Sequence, residues 1–390
     1  MELREKFILV ANGLKSNLVE RDDEIDVLIW AILARLNILF LGMPGIAKTL
    51  MTTLFAGSIE EAEIFSRLMT KTTVPEELFG MYKLSKLELD VYERNIKDTI
   101  LTAHFAILDE IFKANTSILN SLLEVILEKR YKNGDTTISI PLLSLIGASN
   151  EIPSEEDGLN AFYDRFVVKL KINSIIEESN FIKMLETDIK PLNKILTLDD
   201  IKNAQKEVDA VIITSEVKSI IAQIRGKLMQ EGLEPSDRTF KLSLALIKAR
   251  AWMSGRTQTD EEDVEALRHT LWSDPEKIKK ITAIILELCN PAMSKIYELL
   301  DEATSLHTEM VASNLKDTKD RKNNYQNALD ISGKLKNIRE ELLKFTLIVK
   351  ASKDNAKKLI KVQQQVDKFL QNVYSLAIQS EGVNLNETIK

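Results

Sequence analysis

Cysteine, glycine, proline and aromatic residues are all scarce in this 390-residue sequence. Its one cysteine, Cys289, cannot form a disulfide within the chain or supply a cysteine-based metal cluster, which fits a reducing compartment. We expect Cys289 to be a small buried side chain, as free cysteines usually are. Aromatic residues make up 6% of the sequence, beside 13 glycines and 8 prolines. Such a composition favours a helix-rich protein over a β-sandwich or a β-barrel.

Excess positive charge and long apolar runs are missing as well. The formal net charge is −7, so no bulk electrostatic force draws the chain to nucleic acid or to an anionic membrane. No run reaches the ~18 apolar residues that a membrane-spanning helix needs. The sequence starts MELREKFILVANGL, which is charged and unlike a signal peptide. We therefore expect a cytoplasmic protein with no membrane span, and we do not expect nucleic acid as its partner.

The distribution of proline divides the chain. All eight prolines lie at or before Pro291, and after that position only Gly333 and Gly382 are available to interrupt a helix. A stretch without helix breakers can form long helices. We predict an α/β core over residues 1–190, an all-α subdomain over residues 191–275 and a C-terminal helical hairpin domain over residues 276–390.

The first of these regions alternates β-type and helical segments. Strands that alternate with helices build a parallel sheet, whose ligands bind at the carboxyl ends of the strands. The predicted strands span residues 37–41, 64–68, 103–108 and 142–148, and the predicted helices include one from Lys48 and one over residues 117–127. Asn133-Gly134, within residues 130–140, predicts a β-hairpin turn. Residues 84–100 resemble a short insertion with weak β character.

The remaining regions are predicted to be helical. Thr197 is placed to cap a helix, Thr259 and Glu262 resemble a capping box, and residues 240–254 are amphipathic. In the C-terminal region, apolar residues recur at three- and four-residue steps, which predicts two or three long helices packed along narrow seams. The seams are Leu335, Ile338, Leu342, Phe345 and Val349, and then Leu359, Val362, Val366, Phe369 and Val373. A hairpin packed on itself and an arm that docks a partner both fit this pattern.

The segment Gly42-Met-Pro-Gly-Ile-Ala-Lys48-Thr49 follows a predicted strand and opens a predicted helix, as a phosphate-binding loop does. Backbone N–H groups in such a loop point at phosphate, and the helix dipole adds a favourable field. Lys48 can reach the β- and γ-phosphates of ATP, and Thr49 can bind Mg²⁺. Ala47 stands where glycine is usual, but alanine accepts helical backbone angles, so we expect the loop to form. The predicted nucleotide-binding residues are Gly42, Pro44, Gly45, Ile46, Ala47, Lys48, Thr49, Leu50 and Asp109.

A carboxylate pair, Asp109-Glu110, ends the third predicted strand. One carboxylate of such a pair can hold hydrated Mg²⁺, and the other can polarise an attacking water. Two solvated acids at a strand end are the alternative, but the phosphate loop upstream favours ATP hydrolysis. We assign Asp109, with Thr49, to Mg²⁺ and Glu110 to catalysis. His104, just before this strand, is expected to be structural.

Three further polar residues complete the predicted catalytic set. Asn150 ends the next predicted strand and can orient water beside the γ-phosphate, although asparagine also suits a plain turn. Arg165 can form a surface ion pair, or act as an arginine finger on the ATP of a neighbouring subunit. Arg238, at a predicted helix start, can likewise reach phosphate or remain a surface charge.

Together these motifs resemble the AAA+ ATPases, and more narrowly the RavA-like branch of the MoxR family. GMPGIAKT is similar to the Walker A motif of that branch, in which alanine before the lysine is usual, and AILDEIFKAN is similar to its Walker B motif. GASNEIP, AFYDRF and PSDRTF resemble the sensor 1, arginine-finger and sensor 2 segments, which would carry Asn150, Arg165 and Arg238. TVPEELFG resembles the segment before the helix-2 insert. The resemblance covers residues 5–275.

The resemblance implies an α/β fold with an AAA+ parallel-sheet core, an all-α lid, an ATP/ADP and Mg²⁺ site, and a homo-oligomeric ring of six subunits. It also implies a chaperone-like remodeller of protein complexes whose partner bears a von Willebrand factor A domain. RavA-like proteins carry a small β domain within their C-terminal helices, whereas this sequence shows helices there, which suggests a shorter member of the branch. A nucleic-acid-associated motor is the alternative function, since replicative helicases share the helix-2 insert, and a nucleotide-gated scaffold is a third.

Overall fold

The computed structural model describes residues 1–153, 159–316, 321–349 and 352–381. The chain forms two compact units, Met1–Ile285 and Leu286–Lys390. The strands of the first unit are β1 (Ile38–Leu41), β2 (Ile64–Leu68), β3 (Phe105–Asp109), β4 (Arg130–Asn133), β5 (Thr136–Ser139), β6 (Ser144–Ser149) and β7 (Val168–Lys171). Its helices are α1 (Leu3–Asn17), α2 (Asp22–Leu33), α3 (Lys48–Gly57), α4 (Pro75–Phe79), α5 (Leu84–Leu87), α6 (Thr116–Glu128), α7 (Asn160–Tyr163), α8 (Glu178–Glu186), α9 (Leu198–Ala210), α10 (Ser215–Gln230) and α11 (Asp237–Met253). Helix α12 (Ile278–Cys289) continues into the second unit.

Five strands form one parallel sheet in the order β2-β3-β6-β1-β7. The three middle strands β3, β6 and β1 are apolar runs whose residues are almost all buried, as in a sheet that is covered on both faces. Their carboxyl ends therefore open side by side at one edge of the sheet. That edge presents Gly42 after β1, Asp109 at the end of β3 and Asn150 after β6.

All four predicted strands are present, each within two residues of its predicted bounds, and a helix begins at Lys48 as predicted. The edge strand β7 is missing from the prediction. Its sequence is Val-Lys-Leu-Lys, and its first lysine, Lys169, is buried. Lysine is depleted in strands and almost never fully buried. The sequence of this segment therefore does not predict a buried β-strand.

The predicted β-hairpin is confirmed, with a shift of one residue. Strands β4 and β5 pair antiparallel, and the two residues between them are Gly134 and Asp135 rather than Asn133-Gly134. Gly134 has φ +63°, which glycine adopts at no steric cost. The β character expected of residues 84–100 is wrong apart from one isolated bridge, between Tyr82 and Arg94, because the segment begins with the short helix α5.

The helical subdomain after the sheet confirms one predicted cap and corrects another. Thr197 caps α9, and its side chain and that of Asp200 exchange hydrogen bonds with each other's backbone N–H. The capping box predicted at Thr259 and Glu262 lies one residue later, at Asp260 and Asp263. It opens a 3-10 helix over Glu261–His269. The predicted amphipathic helix over residues 240–254 is α11, which begins earlier because Ser236 caps it.

The second compact unit contains three long helices, α13 (Pro291–Lys316), α14 (Arg321–Ile348) and α15 (Lys353–Glu381). They pack on one another, and both predicted seams are confirmed as the apolar stripes along which α14 and α15 are buried. The two phenylalanines of the seams are only partly buried, and Phe369 stacks on His307 of α13, with ring centroids 4.4 Å apart. No strand occurs among the described residues of this unit.

Three smaller expectations are also met. Cys289 is buried and free. His104 is structural, since its Nδ1 accepts a hydrogen bond from the Glu63 backbone N–H at 3.0 Å, and burial lowers its pKa, which favours the neutral acceptor form. Among the described helices, none combines the length and the apolarity that a membrane crossing needs.

Candidate functional site

The loop between β1 and α3 has a backbone that only small residues allow. Gly42 has φ +155°, and a Cβ added there would lie 2.3 Å from the Ile172 carbonyl oxygen, so the position requires glycine. Gly45 has φ +82°. The expectation that Ala47 has right-handed helical backbone angles is wrong. The residue takes left-handed angles (φ +67°, ψ 20°). The loop then enters α3 at Lys48, where the first N–H groups of the helix have no intrahelical partner and are available to an anion.

Lys48 crosses the edge of the sheet from α3. Its Nζ donates to the Gly42 carbonyl at 2.5 Å, and to the Ser149 carbonyl and Asn150 Oδ1 at 3.3 Å each. Burial lowers the pKa of Lys48, and the charges of Asp109 and Glu110 partly oppose this. The ammonium is thus held where strands β1 and β6 end, with two carboxylates nearby.

The carboxylate pair follows β3, as predicted. Glu110 has left-handed backbone angles (φ 52°, ψ 41°), and its N–H donates to Asp109 Oδ1 at 3.1 Å. Glu110 Oε1 accepts from Asn150 Nδ2 at 2.6 Å. Its Oε2 is buried and has no hydrogen bond, although Lys113 Nζ lies 3.2 Å away as an ion pair without hydrogen-bond geometry. Asn150 therefore joins Lys48 to Glu110 through the two ends of its amide.

Two cavities meet along this loop. The first, of about 420 Å³, is lined by loop and α3 residues together with Leu68, Asp109 and Glu110, and it includes Thr49. The second, of about 500 Å³, is mostly apolar, and its walls come from residues 17–21, from the loop, and from residues 174–189. Both cavities include Pro44, Gly45, Ala47 and Leu50, so a cavity lined by two carboxylates adjoins one whose lining has no carboxylate.

Hydrogen bonds join one wall of the apolar cavity, residues 173–180, to the residues that follow α1. Glu20 accepts hydrogen bonds from the Ile176 N–H, the Glu177 N–H and Asn180 Nδ2. Burial opposes ionisation of Glu20, but these hydrogen bonds outweigh it and lower the pKa of the carboxyl. Arg21 donates to the Asn173 carbonyl at 2.8 Å. These bonds hold residues 173–180 opposite the phosphate loop.

Several residues of the site are absent from the prediction, among them one lysine and two apolar residues of α8. Lys113 contacts Glu110 from the 3-10 helix after β3, and Phe181 and Met184 of α8 line the apolar cavity. The apolar residues of α8 were an available signal in the sequence, since Phe181, Ile182, Met184 and Leu185 recur at helical spacing. Nothing in the spacing of Lys113 distinguishes it from an ordinary surface lysine.

The two predicted arginines lie apart from this group. Arg165 follows α7, and its Nε is buried with no hydrogen-bond partner. Arg238 is exposed in the first turn of α11. Within the described part of the chain, neither makes an ion pair and neither lines the two cavities. The structure therefore brings together Lys48, Thr49, Asp109, Glu110 and Asn150, while Arg165 and Arg238 remain outside.

The fold and this arrangement define the class of the protein. A parallel sheet with a phosphate loop after β1, an acidic pair at the end of β3, the strand β6 between these two and a helical subdomain beyond the sheet are the architecture of an AAA+ ATPase. A sequence model described as the "MoxR domain in the MoxR-vWA-beta-propeller ternary systems" matches residues 5–210, and one described as an "AAA lid domain" matches residues 216–285. The chain therefore belongs to the MoxR family of AAA+ ATPases.

Similar proteins occur in archaea and bacteria. The uncharacterized proteins MJ0079 and MJ0812 of Methanocaldococcus jannaschii are 34% and 36% identical to this chain, over 95% and 96% of it and 98% of each relative. The Chaperone MoxR1 of Mycobacterium tuberculosis is 28% identical over 50% of this chain and 52% of its own length. A crystal structure of a "putative ATPase" from Cytophaga hutchinsonii matches with a TM-score of 0.61 at 21% identity, covering 73% of this chain and 94% of that one. At this identity the last match supports the fold alone.

Proposed function

We propose that this protein binds ATP with Mg²⁺ across the two cavities and hydrolyses it. The observation that carries the proposal is the hydrogen-bonded series Lys48–Asn150–Glu110, formed where β1, β6 and β3 end. An ammonium held only by two carbonyls and an amide is placed to bind a phosphate, and a carboxylate beside it is placed to receive a proton from water. A merely structural cluster would pair Lys48 directly with a carboxylate.

The residues present also fit a magnesium ion. Thr49 and Asp109 line the first cavity and would hold Mg²⁺, which neutralises phosphate charge when bound. Magnesium usually takes only one or two protein ligands beside phosphates and water. In agreement with that, no cluster of three or more potential metal-ligating His, Cys, Asp or Glu side chains occurs among the described residues.

Each residue then has a distinct task. Lys48 and the backbone N–H groups of residues 45–49 bind the phosphates, and Glu110 orients and deprotonates the attacking water. Asn150 fixes the carboxylate of Glu110 at 2.6 Å. The apolar cavity, with Phe181 and Met184, receives the adenine.

We further infer that Arg165 acts on the ATP of a neighbouring subunit in a homo-oligomeric ring of six, and that Arg238 binds phosphate from the lid, with either subunit as its target. The Nε of Arg165 is buried and has no hydrogen-bond partner in the part of the chain that the structure describes, which supports this assignment because leaving such a donor without a partner is costly. The ring would consist of an ATPase core over residues 1–190, a lid over residues 191–275 and the C-terminal helical domain over residues 276–390.

In the cell, we propose a cytoplasmic, chaperone-like remodeller of protein complexes that works with a von Willebrand factor A domain partner. The description of the matching family, which places MoxR domains in ternary systems with vWA domains, supports this. Membership of the RavA-like branch remains our proposal from the motifs. A nucleic-acid motor is the competing reading, and strong, salt-sensitive stimulation of the ATPase by DNA would favour it.

The Glu110→Gln substitution tests the hydrolytic assignment. We expect ATP turnover to fall by about 10²–10⁴-fold, which is the contribution of a positioned general base. Nucleotide affinity, measured with a fluorescent ATP analogue, should change by less than about threefold, because the amide preserves the size of the side chain. Glu128→Gln, an exposed glutamate at the end of α6, serves as the matched control and should leave both values unchanged. Full turnover in Glu110→Gln would refute the role of Glu110.

A further inference from the structure

A third cavity, of about 230 Å³, lies beside the edge strand β7 and shares no lining residue with the two nucleotide cavities. One wall is β7, which contributes Lys169 and Lys171. The opposite wall is the helical subdomain, which contributes Arg268 and Trp272, and the first turn of α2 closes the rim with Asp23. The cavity therefore lies between the sheet and the helical subdomain within the first compact unit.

Lys169 is the unusual residue of this cavity. It is 6% exposed, and it makes no hydrogen bond or ion pair with any residue that the structure describes. Its ammonium lies 5.0 Å from the centroid of the Tyr163 ring, and the hydroxyl of Tyr163 is already used, because it donates to the Ser273 carbonyl. Burial lowers the pKa of Lys169 to about 8, against a weaker opposing effect of the Asp164 charge. A buried ammonium without a counter-ion is costly, and buried charges in proteins are normally paired.

The lining carries charged groups of both signs, and Lys171 and Arg268 accompany Lys169 on the positive side. Arg268 pairs with Glu265 at 3.1 Å and with Asp23 at 3.3 Å, so the carboxylate of Asp23 is already engaged. Glu24 supplies a second carboxyl group, whose pKa is raised by burial. The Arg268 Nε donates to His269 Nε2 at 3.0 Å, which assigns the neutral imidazole. The exposed Lys171 adds a positive charge at the rim.

We propose that this cavity is a binding site for a small phosphate-bearing anion, with Lys169 as its buried counter-charge and Lys171 and Arg268 at its mouth. A volume of about 230 Å³ is below the range of drug-sized pockets, roughly 300–1,000 Å³, so the site suits a single phosphate group or a small phosphorylated metabolite rather than a second nucleotide. Such a ligand would link β7 to the helical subdomain. This site is independent of the proposed ATPase function.

Anion titration of the full chain tests the site. Inorganic phosphate and sulfate are titrated calorimetrically into protein saturated with ADP, so that the phosphate loop is already filled, with chloride holding the ionic strength constant. We expect one site per chain, and at least tenfold weaker binding in Lys169→Met, which keeps the length of the side chain without its charge. Lys129→Met is the matched control, since Lys129 is a half-buried lysine outside this cavity whose pKa is also lowered to about 8. Equal binding in wild type and Lys169→Met, or no saturable binding in the wild type, would overturn the proposal.

Sulfate also gives a pH test, because its charge does not change between pH 6 and 10. An anion stabilises the protonated amine, so affinity should be constant below pH 8 and fall as the pH rises above it. A second readout uses the wild type alone, in case Lys169→Met does not fold. Amine acetylation at pH 8.5, quantified by mass spectrometry, should slow at Lys169 by at least threefold when sulfate is added, and stay unchanged at Lys129. Affinity that does not vary with pH, or labelling of Lys169 that sulfate does not slow, would each contradict the site.

Discussion

Ala47 shows how a single residue can carry strain at the centre of a site. It holds left-handed angles at the last position before α3, where the family of loops generally has glycine. Such angles cost a residue with a Cβ about 1–2 kcal/mol. The loop nevertheless keeps this conformation, because Lys48 and the start of α3 are held to β1 and β6 by the hydrogen bonds of the lysine. Strain of this kind is common where a ligand must be met by backbone N–H groups.

We expect Ala47→Gly to stabilise the protein. Relief of the left-handed strain should exceed the roughly 0.4–1 kcal/mol that glycine loses through its more flexible unfolded chain, for a net gain of about 0.5–1 kcal/mol. Urea unfolding followed by circular dichroism measures the change. Ala222→Gly, at an exposed right-handed position in the middle of α10, should instead destabilise by about 1 kcal/mol. Destabilisation by both substitutions would show that Ala47 is not strained.

Lys169 predicts a pH dependence of stability. Its pKa is about 8 in the folded chain, against the ordinary value of 10.5 for a solvated lysine, so folding is penalised below pH 8, where both states are protonated. The shift corresponds to a penalty on the order of 3 kcal/mol. As the pH rises from 8 toward 10.5, the unfolded chain binds more protons than the folded chain, and the penalty disappears.

In buffer without multivalent anions, Lys169→Met should therefore be more stable than the wild type at pH 7. The difference in unfolding free energy should narrow as the pH is raised from 8 to 10. Thermal and urea unfolding at matched pH values give the comparison. A difference that stays constant over this range would mean that the amine does not titrate as a buried group.

At the scale of elements, α8 is a helix that buries no side chain against the rest of the protein. None of its residues is buried, and its apolar side chains are open to solvent at the wall of the apolar cavity. Residues 173–180, just before it, are fastened by Glu20 and Arg21, so the helix is positioned from its N-terminal side. A helix positioned in this way is suited to form one wall of the pocket that we propose for the adenine base.

Phe181→Ala should weaken ATP binding by about 5–10-fold, since burying a large apolar side chain against a ligand contributes about 1–2 kcal/mol. Ile182→Ala is the matched control. Its side chain is 49% exposed, against 48% for Phe181, but it does not line the cavity. Fluorescence titration with an ATP analogue compares the two. A loss of affinity in both variants would indicate a general effect on α8 rather than contact with the base.

The strands were easier to predict than the exact positions of the turns and helix caps between them. β1, β3 and β6 are short apolar runs because both of their faces are buried, and this pattern is visible without a structure. The hairpin turn and the second capping box are each displaced by one residue, since Gly134-Asp135 and Asp260 compete with neighbours of equal turn or capping propensity. Strand β7 escaped prediction because its burial depends on the subdomain that packs against it, as does that of Lys169.

At the scale of the whole molecule, Arg165 is the residue whose proposed role involves a second chain. Its Nε is buried without a hydrogen-bond partner among the described residues, and Arg165 does not line the cavity around Lys48 in its own chain. In the proposed ring, the guanidinium reaches the ATP of the adjacent subunit. Losing an arginine finger typically costs on the order of 10³-fold or more in rate.

A mixing experiment separates this role from a folding defect. Arg165→Ala and Glu110→Gln should each be nearly inactive alone. When they are combined, interfaces that pair an intact Glu110 with an intact Arg165 should recover up to about a quarter of wild-type ATPase activity. Arg225→Ala, which removes an exposed arginine paired with Asp237, is the control and should remain active alone. No recovery in mixed rings whose assembly is verified by light scattering would place Arg165 within its own site.

The sequence alone determined the family and the chemistry proposed for it, because the phosphate loop and the acidic pair are local patterns whose residue types and spacing already indicate phosphate and metal binding. It also determined the strands that carry them, since burial on both faces requires continuous apolar runs. Only the tertiary structure decided how Asn150 joins Lys48 to Glu110, which residues wall the apolar cavity, and that Lys169 is buried without a counter-ion among the described residues. Those properties depend on distances between segments far apart in the chain, which hydrogen bonding and packing set and local patterns do not record.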